Sequence, residues 1–327
     1  MKTLIVAFYK FVDLPDFRER LEPLQSLCLS HGIKGTVLLA SEGINSTIAG
    51  SEDDINAILA NLQADPAIGP LTVKRSWHTK IPFYRMKVRL KEEIVRLGMP
   101  EVSPNDLVGQ YVAPEDWNAL ISDPEVTVID TRNSYEYELG TFDRALDPAT
   151  SHFQEFPDFV RKNLAQNKDQ KIAMFCTGGI RCEKATAYLR QEGFENVHHL
   201  QGGILNYLDK VPAEKSLWKG DCFVFDNRVT VDHDLNRGHY VACRSCRHAL
   251  DPDDLNSPNF VEGVSCPYCF DQQTTEQHSR AAERQKQIEL SQQTGRRHIG
   301  VSPEEMAQWR EEKRAQRWPV ETDPNES

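Results

Sequence analysis

The residues best placed to do chemistry are Cys176 and Arg181, with the short loop Thr177-Gly178-Gly179-Ile180 between them. Before the loop runs Lys171-Ile172-Ala173-Met174-Phe175, a largely apolar segment that reads as a buried strand. After it, Glu183 to Arg190 is built of good helix formers. Two glycines let the backbone curl tightly, so that several N–H groups converge on one point. The helix N-terminus adds partial positive charge and Arg181 a full one. Such surroundings lower a thiol's pKa and stabilise an anion carried on the sulfur. The loop therefore predicts a reactive thiolate at Cys176, cradled by Thr177, Gly178, Gly179 and Ile180, with Arg181 as countercharge. The plain alternative is a small buried hydrophobe. Cys182 follows directly; it reads either as a resolving thiol or as a residue buried in the first helical turn.

The elements that must hold this loop read as a parallel α/β unit over residues 120–215. Thr127 to Asp130 is a buried strand ending at Thr131-Arg132, Phe153 to Leu164 is amphipathic, and Val197 to Leu200 is a further strand, in which His198 and His199 are structural. Ligands of such sheets bind beyond the strand C-termini, where Asp130, Arg132 and Cys176 emerge together; Asp130 and Arg132 are expected to support the site.

Residues 1–98 alternate strand and helix signals in the order β-α-β-β-α-β, which predicts a ferredoxin-like α+β domain. Leu4 to Phe11, Lys34 to Ala40, Asn45 to Ile48, Leu71 to Trp77 and Phe83 to Leu90 read as strands. Phe17 to Leu29 and a segment capped by Ser51 read as helices, with Cys28 on the packing stripe of the first. The window Lys74 to Arg96 holds eight Lys or Arg against two acids, while the chain as a whole carries −11. Trp77, His78, Phe83 and Tyr84 are interleaved with these cations, a mixture suited to single-stranded RNA. Lys74, Arg75, Lys80, Arg85, Lys87 and Arg89 are the candidate RNA contacts. A solvated strand edge is the alternative. Residues 99–119, with Met99-Pro100 and Ser103-Pro104, read as a linker that runs into a short helix opened by Pro114.

Beyond Val211-Pro212 the character changes. Asp221 to Val231 reads as two short strands around Asp226-Asn227. Cys243-Arg244-Ser245-Cys246 and Cys266-Pro267-Tyr268-Cys269 then form two Cys-x-x-Cys pairs separated by nineteen residues. Two such knuckles can turn four thiolates onto one ion, so residues 216–272 predict a zinc-ribbon-like module with Cys243, Cys246, Cys266 and Cys269 as ligands of a structural zinc. Arg237, His239, Arg244, Arg247 and His248 around the first knuckle form a second candidate RNA face. Residues 273–327 are a polar tail. In it Gln272 to Gln293 could form a helix, Gly295-Arg296-Arg297-His298 is a small basic patch, Trp309 and Trp318 could dock, and the last ten residues are expected to be disordered.

A hydrophobic content of 39% in 327 residues, with no apolar run near the length of a membrane span, predicts a soluble cytoplasmic protein of several domains. In a reducing compartment the paired cysteines mean metal or redox chemistry, not disulfides.

The motifs carry a resemblance. Asp130-Thr131-Arg132-Asn133-Ser134-Tyr135-Glu136-Tyr137 and Cys176 to Arg181, closed by Gly202-Gly203, look like those of a rhodanese domain. Protein tyrosine phosphatases place five residues between their cysteine and arginine; here there are four, which suits a smaller group than phosphoryl. Together with Gly35 to Asn45, Phe83 to Val95 and the cysteine-rich end, the whole chain resembles the rhodanese-domain tRNA uridine hydroxylases. That resemblance implies oxygen-dependent formation of 5-hydroxyuridine at the wobble position of tRNA, with Cys176 essential and molecular oxygen as co-substrate. The first domain resembles acylphosphatases in fold only, because no matching glycine-rich anion loop lies between Lys10 and Phe17. No flavin, haem or nucleotide signature is present, so attack of Cys176 on C6 of the uracil is a route to an electron-rich C5. A persulfide-forming sulfurtransferase and a non-catalytic RNA scaffold are the competing classes. A reductant or sulfur-donor protein is a further expected partner; oligomeric state is left open.

Overall fold

The computed structural model describes residues 2 to 293; the basic patch at Gly295 to His298, Trp309, Trp318 and the last ten residues lie outside the described residues. The first module comprises β1 (Thr3–Phe11), α1 (Leu21–Ser30), β2 (Lys34–Ala40), β3 (Gly43–Gly50), α2 (Glu52–Ala64), β4 (Val73–His78) and β5 (Met86–Leu90). Its sheet runs β4-β1-β3-β2-β5. The first four strands pair antiparallel, in the ferredoxin-like order, and β5 adds parallel to β2. Ser51 caps α2 by accepting the Asp54 N–H. α1 begins later than its apolar spacing predicts. Pro23 has no N–H to offer the Glu19 carbonyl, and its ring would clash there, so the helix cannot extend further upstream.

The two faces of this sheet do different things, as a period of two requires. Leu4, Val6 and Phe8 of β1 pack with Ile55, Ile58 and Leu59 of α2. Ile5, Ala7 and Tyr9 point the other way and line a cavity.

The second module follows: β6 (Gln110–Val112), α3 (Pro114–Ser122), β7 (Val126–Asp130), α4 (Ser134–Tyr137), β8 (Gly140–Phe142), α5 (Phe156–Asn163), β9 (Lys171–Phe175), α6 (Ile180–Gln191), β10 (Val197–Leu200) and α7 (Gly203–Lys210). A parallel sheet runs β6-β10-β9-β7. Ile172 and Met174 of β9 pack with Phe156, Val160 and Leu189 on one face. Ala173 and Phe175 pack with Trp117, Ile121 and Ile204 on the other. Burial on both faces is why β9 is continuously apolar. β6 lies within the stretch that composition marks as a linker. It is drawn into the sheet by pairing with β10; at three residues it is too short for an alternating pattern to show in the sequence.

The third region contains β11 (Trp218–Gly220), β12 (Cys222–Phe223), β13 (Thr230–Val231), β14 (Val241–Ala242), β15 (Ala249–Leu250), α8 (Pro252–Leu255) and α9 (Thr275–Gln293). The β12–β13 hairpin is clamped to the first module. Asn227 N–H donates to the Pro82 carbonyl at 3.0 Å and Arg228 to Ser76 Oγ at 3.0 Å. Among the described residues no helix is long and apolar enough to cross a membrane.

Candidate active site

β9 ends at Phe175 and α6 starts at Ile180, so Cys176 leaves the sheet at its C-terminal edge and the loop turns into a helix N-terminus. Gly179 has φ +97° and is the N-cap of α6. Gly203, with φ +70°, closes the loop from behind: a Cβ there would lie 2.7 Å from Gly179 N and nearer still to the Cys176 carbonyl. α7 can therefore begin against the cradle only through glycine. In return Ile204 N–H donates to the Cys176 carbonyl at 2.9 Å.

Cys176 is 1% exposed, yet it lines the cavity. Burial alone would push the thiol up; the Cys182 thiol, the Arg181 charge and the N–H groups of Cys182 and Gly179 outweigh it and hold Cys176 at about 5. The Gly179 N–H lies 3.1 Å from the sulfur. Cys182 is fully buried; burial first, then its bond to Cys176, pushes it well above the ordinary thiol range. It is the donor that keeps its neighbour ionised.

Arg181 reaches the site with its charge already shared. Its two terminal nitrogens donate to Glu136 at 2.7 and 2.8 Å, and both side chains are buried. Burial opposes the Glu136 charge, but Arg181 more than compensates and holds this carboxyl below its ordinary value. Glu136 stands in the quoted Asp130 to Tyr137 motif, though residue type alone does not reveal its role. Asp130 and Arg132 pair with each other at 2.6 Å, fully buried, and Thr141 joins them at 3.1 Å. Arg132 also lies 5.1 Å over the Trp218 ring. The pair ties β7 to β8 and β11 and does not line the cavity.

The first turn of α6 is also where the two modules meet. Glu183 accepts from Tyr9 Oη at 2.6 Å and bonds Tyr111. Lys184, fully buried, bridges Glu42 at 2.5 Å and Glu93 at 2.7 Å, both from the first module. Lys74 is bonded to the Gly178 carbonyl. Sequence pattern does not single out Tyr9, Glu42, Glu93, Tyr111, Glu183 or Lys184 as site residues. For Tyr9 the signal is the sheet period, since residues on β1 and β4 that face away from α1 and α2 must meet something; the other five lie off those strands and carry no such signal.

The six candidate RNA contacts of the basic window are separated by the fold. Lys74 and Arg75 are on β4, at one edge of the sheet; Lys87 and Arg89 are on β5, at the other. At roughly 4.8 Å per strand, four spacings put these edges about 19 Å apart. Arg75 donates to Asn56 at 2.9 Å on the helix side. Arg75, Lys80, Arg85 and Arg89 are exposed.

The cavity holds about 1250 Å³, more than the roughly 300–1,000 Å³ of small-molecule pockets. All three regions contribute walls, among them Tyr9, Lys74, Cys176, Gln201 and Phe225. Phe225, from the β12–β13 hairpin, is 60% exposed. Its ring is held edge-on by Phe223 at 5.2 Å and has the Arg181 guanidinium 5.8 Å from its centre.

Away from the cavity, the sulfurs of Cys243, Cys246, Cys266 and Cys269 lie within 4.8 Å of one another. Two of these separations, Cys246–Cys266 and Cys266–Cys269, are 3.6 Å. Tetrahedral coordination at about 2.3 Å per bond needs sulfur–sulfur edges of about 3.8 Å, so the cluster fits a metal ion.

Residues 3–94 match the UPF0176 acylphosphatase-like domain and residues 113–210 the rhodanese-like domain. The chain is thus a rhodanese-like protein whose cysteine loop is roofed by an acylphosphatase-like sheet. It is 54% identical over 91% of its length to a tRNA uridine(34) hydroxylase of Acaryochloris marina, covering 96% of that protein. It is 55% identical, again over 91%, to a tRNA uridine(34) hydroxylase of Teredinibacter turnerae, covering 92% of it. The chain belongs to the tRNA uridine(34) hydroxylase family. Among solved structures, the rhodanese-like domain of an Anabaena protein aligns with 35% of this chain and 80% of its own, at 21% identity and a TM-score of 0.28.

Proposed function

We propose that this protein hydroxylates C5 of the wobble uridine of tRNA, with molecular oxygen as co-substrate and Cys176 as nucleophile. The observation that carries the reading is a thiol whose pKa is held low at the foot of a cavity of about 1250 Å³, larger than the usual small-molecule pocket and walled on one side by Tyr9 and Lys74 of the first module's sheet. Attack of the thiolate on C6 forms an S–C6 bond. The C5=C6 pair moves into C4–C5, and the carbonyl pair moves onto O4. C5 is then nucleophilic toward oxygen. One oxygen atom stays on C5 and the other leaves as water, which takes two electrons and, net, two protons from a reductant, the expected second partner. Loss of the C5 proton then restores the C5=C6 bond as the S–C6 bond breaks, returning Cys176 as thiolate. Loop N–H groups hold the negative charge as it develops. Phe225 offers a free aromatic face on which the extruded base stacks. Arg75, Lys80, Arg85 and Arg89 are exposed to the RNA backbone, and the four-cysteine cluster holds a structural zinc.

The test is nucleoside mass spectrometry of tRNA from cells lacking the protein, complemented with wild type or Cys176→Ser. The reading expects 5-hydroxyuridine only with wild type; its presence with Cys176→Ser removes Cys176 from the reaction. Sulfur transfer through a Cys176 persulfide is the second reading, favoured by the rhodanese loop itself. It requires cyanide-dependent turnover with thiosulfate and unchanged 5-hydroxyuridine in the deletion strain.

A further inference from the structure

A cation from the first module grips the loop that activates the nucleophile in the second. In β4, Lys74 pairs directly with Ala7 of β1, so it shares the sheet face of Ile5, Ala7 and Tyr9, the face turned toward the cavity. Its Nζ lies 5.5 Å from the centre of the Tyr9 ring and donates to the carbonyl of Gly178. A methyl group at Gly178 would already touch that nitrogen at 3.6 Å.

The carbonyl it grips is not an arbitrary one. The Gly178 C=O and the Gly179 N–H belong to a single peptide unit, which is planar and trans, so the two point in opposite directions. Holding the oxygen from one side aims the N–H to the other, and that N–H is the one that donates to Cys176 Sγ at 3.1 Å. A cation on the carbonyl also polarises the unit and strengthens its N–H as a donor. Charges facing Lys74 come from Cys176, Cys182 and Glu183; burial, the largest influence, pushes its ammonium down to about 8 and these three oppose the fall.

We propose that Lys74 is a positioning residue for the thiolate: it orients and polarises the Gly178–Gly179 peptide, so that Cys176 is fully activated only when the first module's sheet is docked on the loop. This rests on the thiolate and on no particular substrate, and it goes beyond the RNA contact that the local sequence suggests for Lys74.

The test is the rate of Cys176 alkylation by iodoacetamide against pH, read by mass spectrometry of the Cys176 peptide in the full chain. Loss of a nearby cation raises a thiol's pKa by about one unit or more. Lys74→Met is therefore expected to alkylate about fivefold more slowly than wild type near pH 5, for a rise of about one unit, and at the same rate above pH 8. Lys74→Arg, which keeps the charge, is expected to stay within about half a unit of the wild-type midpoint. Superimposable curves for Lys74→Met and wild type would overturn the proposal. So would a uniform slowing at every pH, which would mean that the substitution merely damages the fold. Because the readout involves no RNA, it stands whether or not 5-hydroxyuridine is the product.

Discussion

The bridge from Lys184 to Glu42 and Glu93 makes the strongest demand on the packing between modules, and Lys184→Met tests it. The side chain of Lys184 is fully buried, and its two carboxylate partners, 2.5 and 2.7 Å away, are 14% and 4% exposed. Methionine keeps the apolar length of the side chain but removes the charge. Each carboxylate retains backbone donors: Ile94 N–H at 2.6 Å for Glu42, and Gly98 N–H at 2.9 Å for Glu93. What is lost is the cation that permits two negative groups to share one buried place. Breaking such a pair by removing one partner costs about 3–5 kcal/mol. Burial already pushes Glu42 above its ordinary value even with Lys184 present. Without Lys184 the Glu42 carboxyl rises further, so the folded variant binds a proton that its unfolded chain releases. Its stability then falls as pH rises through that interval, and the deficit shrinks on acidification by about 1.4 kcal/mol per unit of upward shift. Urea unfolding of wild type and Lys184→Met at pH 8 and pH 5, followed by far-UV circular dichroism, measures both terms. A deficit below about 1 kcal/mol at pH 8, or one equal at both pH values, refutes the argument that this cation is required between the modules.

Three further outcomes are expected. Cys182→Ala removes the first of the interactions that lower the Cys176 thiol, so its alkylation midpoint should rise from about 5; a hydrogen bond to a charged group contributes about 1.5–3 kcal/mol, or roughly one to two units. Phe225→Ala should weaken tRNA binding by about 1–3 kcal/mol in filter binding, with Phe225→Trp restoring it, and equal affinities would remove the stacking role. Cys243→Ser should abolish zinc in plasma emission analysis of the purified protein and lower its melting temperature, while leaving Cys176 alkylation unchanged.

The cysteine loop was legible because its chemistry is local: strand end, two glycines, arginine and helix start lie within ten residues, and they act through the loop's own N–H groups and one adjacent side-chain charge. The zinc-type spacing is legible for the same reason. The ferredoxin-like order follows from period-two and helical patterns between residues 3 and 90, where each element buries its own apolar stripe. β6 was not legible as a strand, since its three residues, two of them exposed, are held by pairing with β10.

By itself the sequence determined most of the elements and the candidate thiol, with the loop dipoles and arginine that surround it. Only the tertiary structure decided which residues from elsewhere complete the site. Glu136 lies 45 positions from Arg181, Lys74 lies 104 from Gly178, and Tyr9 lies 174 from Glu183. It also divided the contiguous basic window between the two edges of one sheet, leaving Lys74 on the loop and Arg89 in solvent. The physical reason is that adjacency along a chain and adjacency across a sheet are independent. A residue's face is set by strand register, but what that face meets is set by how two folded surfaces dock.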